Sequence, residues 1–418
     1  MLSSEYRAPI HRLRSLRQSR LFVGPDGRLT TFRAALLLAV IAGPLLIFQV
    51  GNADLDVYRH GASVLLHGHS LYAADFAANP GNHLPFTYPP FAAIAALILL
   101  PLPERVTAEL WGVATIVMLV WCVRVSFQPL LERRRVRADL VLVGITAVML
   151  FTRPAFDHLG DGQVDIALMT MCLADTVTPQ PRWPRGVLVG LATATKLVPG
   201  IFILYFWITG RRRAALVAAG TFIASQALAT ILAFGDSRRY WTHLVFDTER
   251  IGYTAGYKNQ SLRGTLLHLL PPPGRRELLV IAAALIAAVG LTRARAATNR
   301  GHHVAGATIA GLTGLLVSPV SWIHTVVWVI PAIGILLACP AKPVRVWTAA
   351  AITVALIAGL PYIPNVIGGL PHPAAVTLQR SFGLICLGLV LLLPIPGLPA
   401  GGEPVAHWFG EPTIPSSR

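Results

Sequence analysis

Lysine is nearly missing from this chain, standing only at positions 196, 258 and 342. Acids are scarce too, 19 against 35 basic residues, and charged residues make up 13% of the whole. Soluble domains carry about 25%, so no stretch reads as a separate soluble domain. The four cysteines, Cys122, Cys172, Cys339 and Cys386, sit in or at the ends of apolar runs. No CxxC pair or disulfide framework is present, and these residues read as small buried hydrophobes. His67, His69 and His83 lack zinc-ligand spacing on a helix face, so no metal is expected. A long polar segment precedes the first apolar run, so the N-terminus is not expected to be a cleavable signal peptide.

What is abundant is apolar. Mean hydropathy is +0.60 and 54% of residues are hydrophobic. Apolar runs recur along the chain, which predicts an all-α polytopic membrane protein. A net charge of +16 would suit nucleic acid, but its placement argues against that. The charges cluster between apolar runs, at Arg12, Arg14, Arg17 and Arg20, at Arg133–Arg135 with Arg137, at Arg211–Arg213, at Arg293, Arg295 and Arg300, and at Lys342 and Arg345. That is the positive-inside pattern of cytoplasmic loops.

Parity turns this pattern into a topology. Residues 1–33 form a basic cytoplasmic N-terminus, and 34–400 form the transmembrane domain. A first span at 34–50 delivers an outer loop, 50–107, holding a short apolar segment at 91–103. That segment falls short of the ~20 residues a crossing needs, and is expected to be re-entrant or to lie on the surface. Spans follow at 108–127, 138–152 and 164–178, then a hairpin over 186–209 bent at Lys196 and Pro199. A span at 214–234 leads to a long outer loop, 235–276. Further spans at 277–292, 303–317, 322–338, 346–360 and 380–397 bring a 401–418 tail back to the cytoplasm. The expected total is about ten to twelve crossings. Every basic loop falls on one side and every motif-like loop on the other.

The outer side collects Asp54, Asp56, Asp157, His158, Asp161, Gln163, Lys258, Asn259, Gln260, Arg263 and His324, with Lys196 reaching it from the hairpin. Ionisable groups at membrane depth are functional candidates. A carboxylate that takes a proton from a hydroxyl, beside cations that neutralise a departing phosphate, suits group transfer from a lipid-linked phosphate. A lipid transporter is the competing class, since broken helices and intramembrane charge also occur there. Against it stand the lack of an internal repeat and the gathering of polar groups on one face.

Four blocks carry a resemblance. They are Asp54-Leu-Asp-Val57-Tyr58 with Phe86-Thr87-Tyr88-Pro89-Pro90, then Gly160-Asp-Gly162-Gln163-Val-Asp165, then Gly190 to Lys196-Leu-Val-Pro199, and Asn259-Gln260-Ser261-Leu262-Arg263-Gly264. Over about residues 50 to 340 the chain resembles glycosyltransferase family 87. These are GT-C polyprenyl-phosphate-mannose-dependent α-1,2-mannosyltransferases of actinobacterial phosphatidylinositol mannoside and lipoarabinomannan assembly. Asp165 departs from the pattern, which leads one to expect an amide or other small polar residue there. The resemblance implies a GT-C fold with its active-site face outside the plasma membrane, and an inverting, metal- and cofactor-independent reaction. Its substrates would be polyprenyl-phosphate-mannose and a glycolipid acceptor within the membrane lipids, and the sugar itself stays open to arabinofuranose or glucose. The family's Asp-x-x-Val-Tyr pattern maps the base onto Asp54, with Asp56 as second choice. Lys196, Arg263, His324 and Lys258 become donor-phosphate candidates. Tyr58, Tyr88, His158, Gln163, Asn259, Gln260 and Trp322 become substrate-binding candidates.

Overall fold

Proline and glycine punctuate the apolar runs and decide where helices start and stop. A computed structural model describes residues 52–73, 76, 84–133, 138–269, 275–338 and 342–395. The basic N-terminus, the first expected span, most of the Arg133–Arg137 cluster and the 401–418 tail lie outside these residues.

The principal helices are α1 (Ala53–Leu66), α2 (Glu104–Ser126), α3 (Ala138–Leu150), α4 (Arg153–Asp161), α5 (Asp165–Val177), α6 (Val187–Thr195), α7 (Ile201–Ile208), α8 (Arg212–Leu232), α9 (Arg275–Asn299), α10 (His303–Val317), α11 (Val329–Ala338), α12 (Pro343–Ala358), α13 (His372–Gln379) and α14 (Ser381–Leu392). No strand occurs among the described residues; Asn259 and Trp322 form one isolated bridge pair. α2 starts after Pro103, and α12 starts with Pro343 and ends on left-handed Gly359.

Among the described residues, three helices are long and apolar enough to cross a membrane: α2, α8 and the Glu277–Asn299 part of α9. Three bent pairs raise this to six: α3 with α4 (76°), Pro343–Ala358 with Leu360–Ile367 (43°), and α13 with α14 (60°). The first expected span lies outside the described residues, and within them several apolar runs fold as shorter helices. Val198–Ile208, His303–Val317 and Ile323–Ala338 are of that kind. The 91–103 segment folds as two short pieces, Phe91–Ala95 and the tighter turn Ala96–Leu99. Its own prolines, and those flanking it, limit its length.

Large apolar side chains remain exposed along α8 (Leu216, Ile223, Ile231) and α9 (Val280, Ile281, Leu285). In water such stripes would drive aggregation; acyl chains solvate them. The chain is an all-helical membrane protein. Its centre is α10, buried continuously from Ala305 to Leu316 and contacted by α5, α7, α9, α11 and α14. A Cβ on Gly311 would lie 2.4 Å from the Trp328 ring, so that position admits only glycine at this spacing.

α5 carries a buried acid at each end. At its C-terminal end, Asp175 accepts hydrogen bonds from Trp183 Nε1 (2.7 Å) and the backbone N–H groups of Gly186 (3.0 Å) and Val189 (2.9 Å). The carboxylate thereby satisfies orphan donors at the start of α6. Arg185 donates to the carbonyls of Thr178 (2.6 Å) and Pro179 (3.0 Å), and Arg211 to that of Thr176 (2.9 Å). The N-terminal end of α5, with Asp165, belongs to the site.

Candidate active site

The Gly160-Asp-Gly-Gln163 turn is seated on the first turn of α1. Asn52 takes a left-handed conformation (φ 31°) and donates its N–H to Gly160 O at 2.9 Å. Gly162 is also left-handed (φ 67°), and a Cβ there would meet Leu55 Cβ at 2.6 Å. Glycine is therefore required, and Asp161 and Gln163 on either side of it are brought to Asp54.

Asp54 and Tyr58 share a face of α1, one turn apart, whereas Asp56 lies about 200° round the helix from Asp54 and is buried. The Tyr58 hydroxyl is 2.8 Å from the Tyr88 hydroxyl and 3.0 Å from Gln163 Oε1. With Oε1 engaged as acceptor, the Gln163 NH₂ group is left to donate on the side of Asp54. Burial pushes the Asp54 carboxyl up to about 7, helped by the nearby Asp161 charge and opposed by Lys196 and Gln163. A carboxyl tuned near neutrality can hold a proton or take one.

Lys196 sits where helix ends. α6 stops at Thr195, Lys196 is extended (φ −148°, ψ 130°), and the chain resumes through the turn Val198–Gly200. Its Nζ donates to both oxygens of Asp165, at 2.9 Å each. His324, in the turn Ile323–Trp328 that packs on α4, reaches toward two acids. Its Nε2 is 3.6 Å from Asp165 Oδ2 and its Nδ1 is 3.9 Å from Asp161 Oδ2. Nε2 makes no hydrogen bond. A narrow crevice opens beside Asp165, lined by Leu168, Val198, Pro199, Phe202 and Trp328 among others.

The structure thus gathers Asp54, Tyr58, Tyr88, Gln163, Lys196 and His324 with Asp161, another of the outer-side acids, and adds Asp165. Other candidates are committed to the protein itself. His158 Nε2 accepts the Ile166 N–H (2.9 Å) at the start of α5. Asn259 donates to Thr254 O (2.8 Å) and accepts from the N–H groups of Ser321 (3.0 Å) and Ser261 (3.2 Å). Gln260 donates to Gln379 O (2.8 Å) and accepts from Gly383 N (2.8 Å). Arg263 pairs with Glu249 (2.9 Å) and donates to the Thr248 hydroxyl. Trp322 is half-buried, and its backbone is bridged to Asn259. Lys258 is exposed, within electrostatic reach of Asp157 and Asp161.

Two arginines that the sequence reading passed over hold this end together. Arg380 is 1% exposed and donates to the carbonyls of Ala255 (2.7 Å), Gly256 (3.0 Å) and Asn259 (2.9 Å). Arg250 donates to the carbonyls of Phe86 (3.0 Å) and Thr87 (3.2 Å), fastening the block that presents Tyr88. An arginine interrupting the last apolar stretch was a signal for Arg380; Arg250 gave none.

Comparison with known proteins decides the family. The sequence profile of glycosyltransferase family 87 matches residues 86–319. The chain belongs to glycosyltransferase family 87. It is 32% identical to a polyprenol-phosphate-mannose-dependent alpha-(1-2)-phosphatidylinositol mannoside mannosyltransferase of Mycobacterium tuberculosis, over 72% of this chain and 73% of that protein. The Mycolicibacterium smegmatis protein of the same name is 36% identical over 70% of this chain and 71% of its own length. A polyprenol-phosphate-mannose-dependent alpha-(1-2)-phosphatidylinositol pentamannoside mannosyltransferase of that organism is 37% identical, covering 74% of this chain and 75% of its own. No solved structure matches. Family 87 membership and these relatives make the chain a glycosyltransferase, and the acid–lysine–histidine cluster is its candidate active site.

Proposed function

We propose that this glycosyltransferase moves mannose from polyprenol-phosphate-mannose to a hydroxyl of a phosphatidylinositol mannoside or lipomannan, forming an α-1,2 linkage with inversion. Asp54 is the base. It takes the proton of the acceptor hydroxyl as that oxygen bonds to C1 of mannose. The C1–O bond to phosphate breaks on the opposite face, and its electron pair leaves with the polyprenyl phosphate. Inversion to an α product requires a β-linked donor.

The donor phosphodiester carries one negative charge and its leaving group gains a second. Lys196 has three N–H donors; Asp165 engages it through one bidentate contact, and its remaining capacity faces the phosphate. His324 stands beside it, and Arg263 and Lys258 supply positive charge at the rim. No metal or cofactor takes part. The chain has a GT-C architecture spanning the plasma membrane several times, with the 91–103 segment re-entrant, both termini cytoplasmic and the Asp54 end outside, where the basic clusters are absent.

The observation that carries this reading is the gathering of a carboxyl, Asp54, with Gln163, Lys196 and His324 in one cluster, where burial raises the Asp54 carboxyl. Membranes containing the chain, given labelled polyprenol-phosphate-mannose and a short phosphatidylinositol mannoside, test it. A slower-migrating mannolipid that vanishes with Asp54→Asn and persists with Asp56→Asn is expected. Full transfer by Asp54→Asn would reject the assignment of the base. No transfer by the unaltered chain, with donor intact, would reject the sugar or the activity.

A further inference from the structure

Asp161 is left unused by the reaction as written. Its side chain is 47% exposed, and no described residue hydrogen-bonds to it. Its place is nevertheless fixed, because Gly160 is bonded to Asn52 and Gly162 is wedged against Leu55. The carboxylate is held close enough to Asp54 for each charge to be felt by the other.

Its surroundings are suited to a sugar. One turn back on the same helix face, Asp157 pairs with the Arg153 guanidinium (2.8 Å) and accepts a hydrogen bond from the Tyr362 hydroxyl. The Tyr362 ring meets Tyr257 edge-on, with centroids 5.3 Å apart, and both residues are half-buried. Arg153 stacks on Tyr362 at 4.3 Å from the ring centre. Asp157 thus holds an aromatic floor beside Asp161. Across from it, the buried His324 ring turns its Nδ1 to Asp161 Oδ2 at 3.9 Å, wider than a direct hydrogen bond and of a span that a bridging hydroxyl closes.

Charge sorts the two halves of the site. An ionised carboxylate repels phosphate, so Asp161 faces a neutral ligand rich in donors, and hydroxyl groups meet that description. Lys196 lies on the other side, where the phosphate belongs. Resting on the mannosyl-transfer reading above, we propose that Asp161 and the Tyr257–Tyr362 pair form the acceptor subsite. The Asp161 carboxylate receives the hydroxyl next to the one that Asp54 deprotonates on a terminal pyranoside, while the rings bed its C–H face. For a 1,2-linkage that neighbour is the 3-hydroxyl.

The test compares a synthetic mannoside lipid with its 3-deoxy counterpart. The unaltered enzyme is expected to prefer the parent by about 30-fold in kcat/KM, the scale of one hydrogen bond to a charged group. Asp161→Ala should reduce that preference to within about threefold, and Asp161→Asn should restore part of it. KM for polyprenol-phosphate-mannose should stay within about twofold in both variants. Unchanged preference in Asp161→Ala overturns the proposal. So does a loss of thermal stability together with a raised donor KM and an unaltered preference, which is what a merely structural Asp161 would give. Calorimetric binding of the same two lipids to Asp54→Asn and Asp54→Asn/Asp161→Ala proteins in nanodiscs reads the subsite without turnover. A preference for the parent lipid lost with Asp161 supports the proposal even if mannosyl transfer itself fails; equal binding by Asp54→Asn overturns it.

Discussion

Asp165 and Asp175 stand at opposite ends of α5, both buried and both acidic, and they have opposite characters. Asp175 is answered by an indole N–H and two backbone N–H groups, all fixed by the fold. Asp165 is answered by a lysine side chain at a break between helices, with a histidine at 3.6 Å. Burial of a charge therefore does not mark a site. What marks it is a partner that is itself a charge on a flexible stem, and so can be shared with a ligand. One end of α5 is a strut, the other a working surface.

Four experiments break or sharpen this contrast. The largest effect belongs to Asp54→Asn, expected to lower transfer by ~10³-fold with little change in melting temperature, since base catalysis contributes on this scale. Equal loss of folding and activity would mean that Asp54 is structural. Next comes Lys196→Met, which strands Asp165 without its cation. Breaking one side of a buried pair costs about 3–5 kcal/mol, and transfer should fall by ~10²-fold as well. Lys196→Met/Asp165→Asn should recover the stability and leave transfer lost; recovered transfer would end the phosphate role of Lys196.

At the strut, Asp175→Asn should cost about 1–3 kcal/mol by leaving donors unpaired. Transfer per folded molecule should stay within about twofold. A deep loss of kcat there would erase the distinction between the two ends. The smallest effect is in the pH profile. A base must be ionised to act, and the Asp54 carboxyl is raised to about 7, so transfer should climb as pH rises through about 7 and level off above it. Asp161→Asn removes a charge that raises Asp54, so that acid limb should move to lower pH. A profile flat from pH 5 to 9 would contradict Asp54 as base.

Local chemistry was legible in the sequence and long-range partnership was not. The helix break at Lys196-Leu-Val-Pro199 follows from proline's missing N–H and is found where expected. Asp54, Gln163 and Lys196 stood out as polar groups beside apolar runs, Tyr58 came from the family resemblance, and all four gather at one end of the bundle. That Asp165 would meet Lys196, 31 positions away, was invisible, because nothing in either segment names the other. Asn259 and Gln260 look like ligand-binding amides, yet their side chains hydrogen-bond to backbone groups, and only the packed fold says so. Hydropathy registers apolar length but not where a run bends, so the 76° angle between α3 and α4 had no signal in it.

The Arg380 clamp has a consequence for biogenesis. The loop around residues 255–260 is bonded to Arg380, Gln379 and Gly383, and Gln379 follows Gln260 by 119 positions. A ribosome adding ~5–20 residues per second needs roughly 6–24 s to cover that distance. Throughout that interval the growing chain has its proposed base and its lysine but lacks the brace for the 255–260 loop. The enzyme can mature only when its final helices arrive, so a prematurely terminated product would be silent toward its lipid substrates.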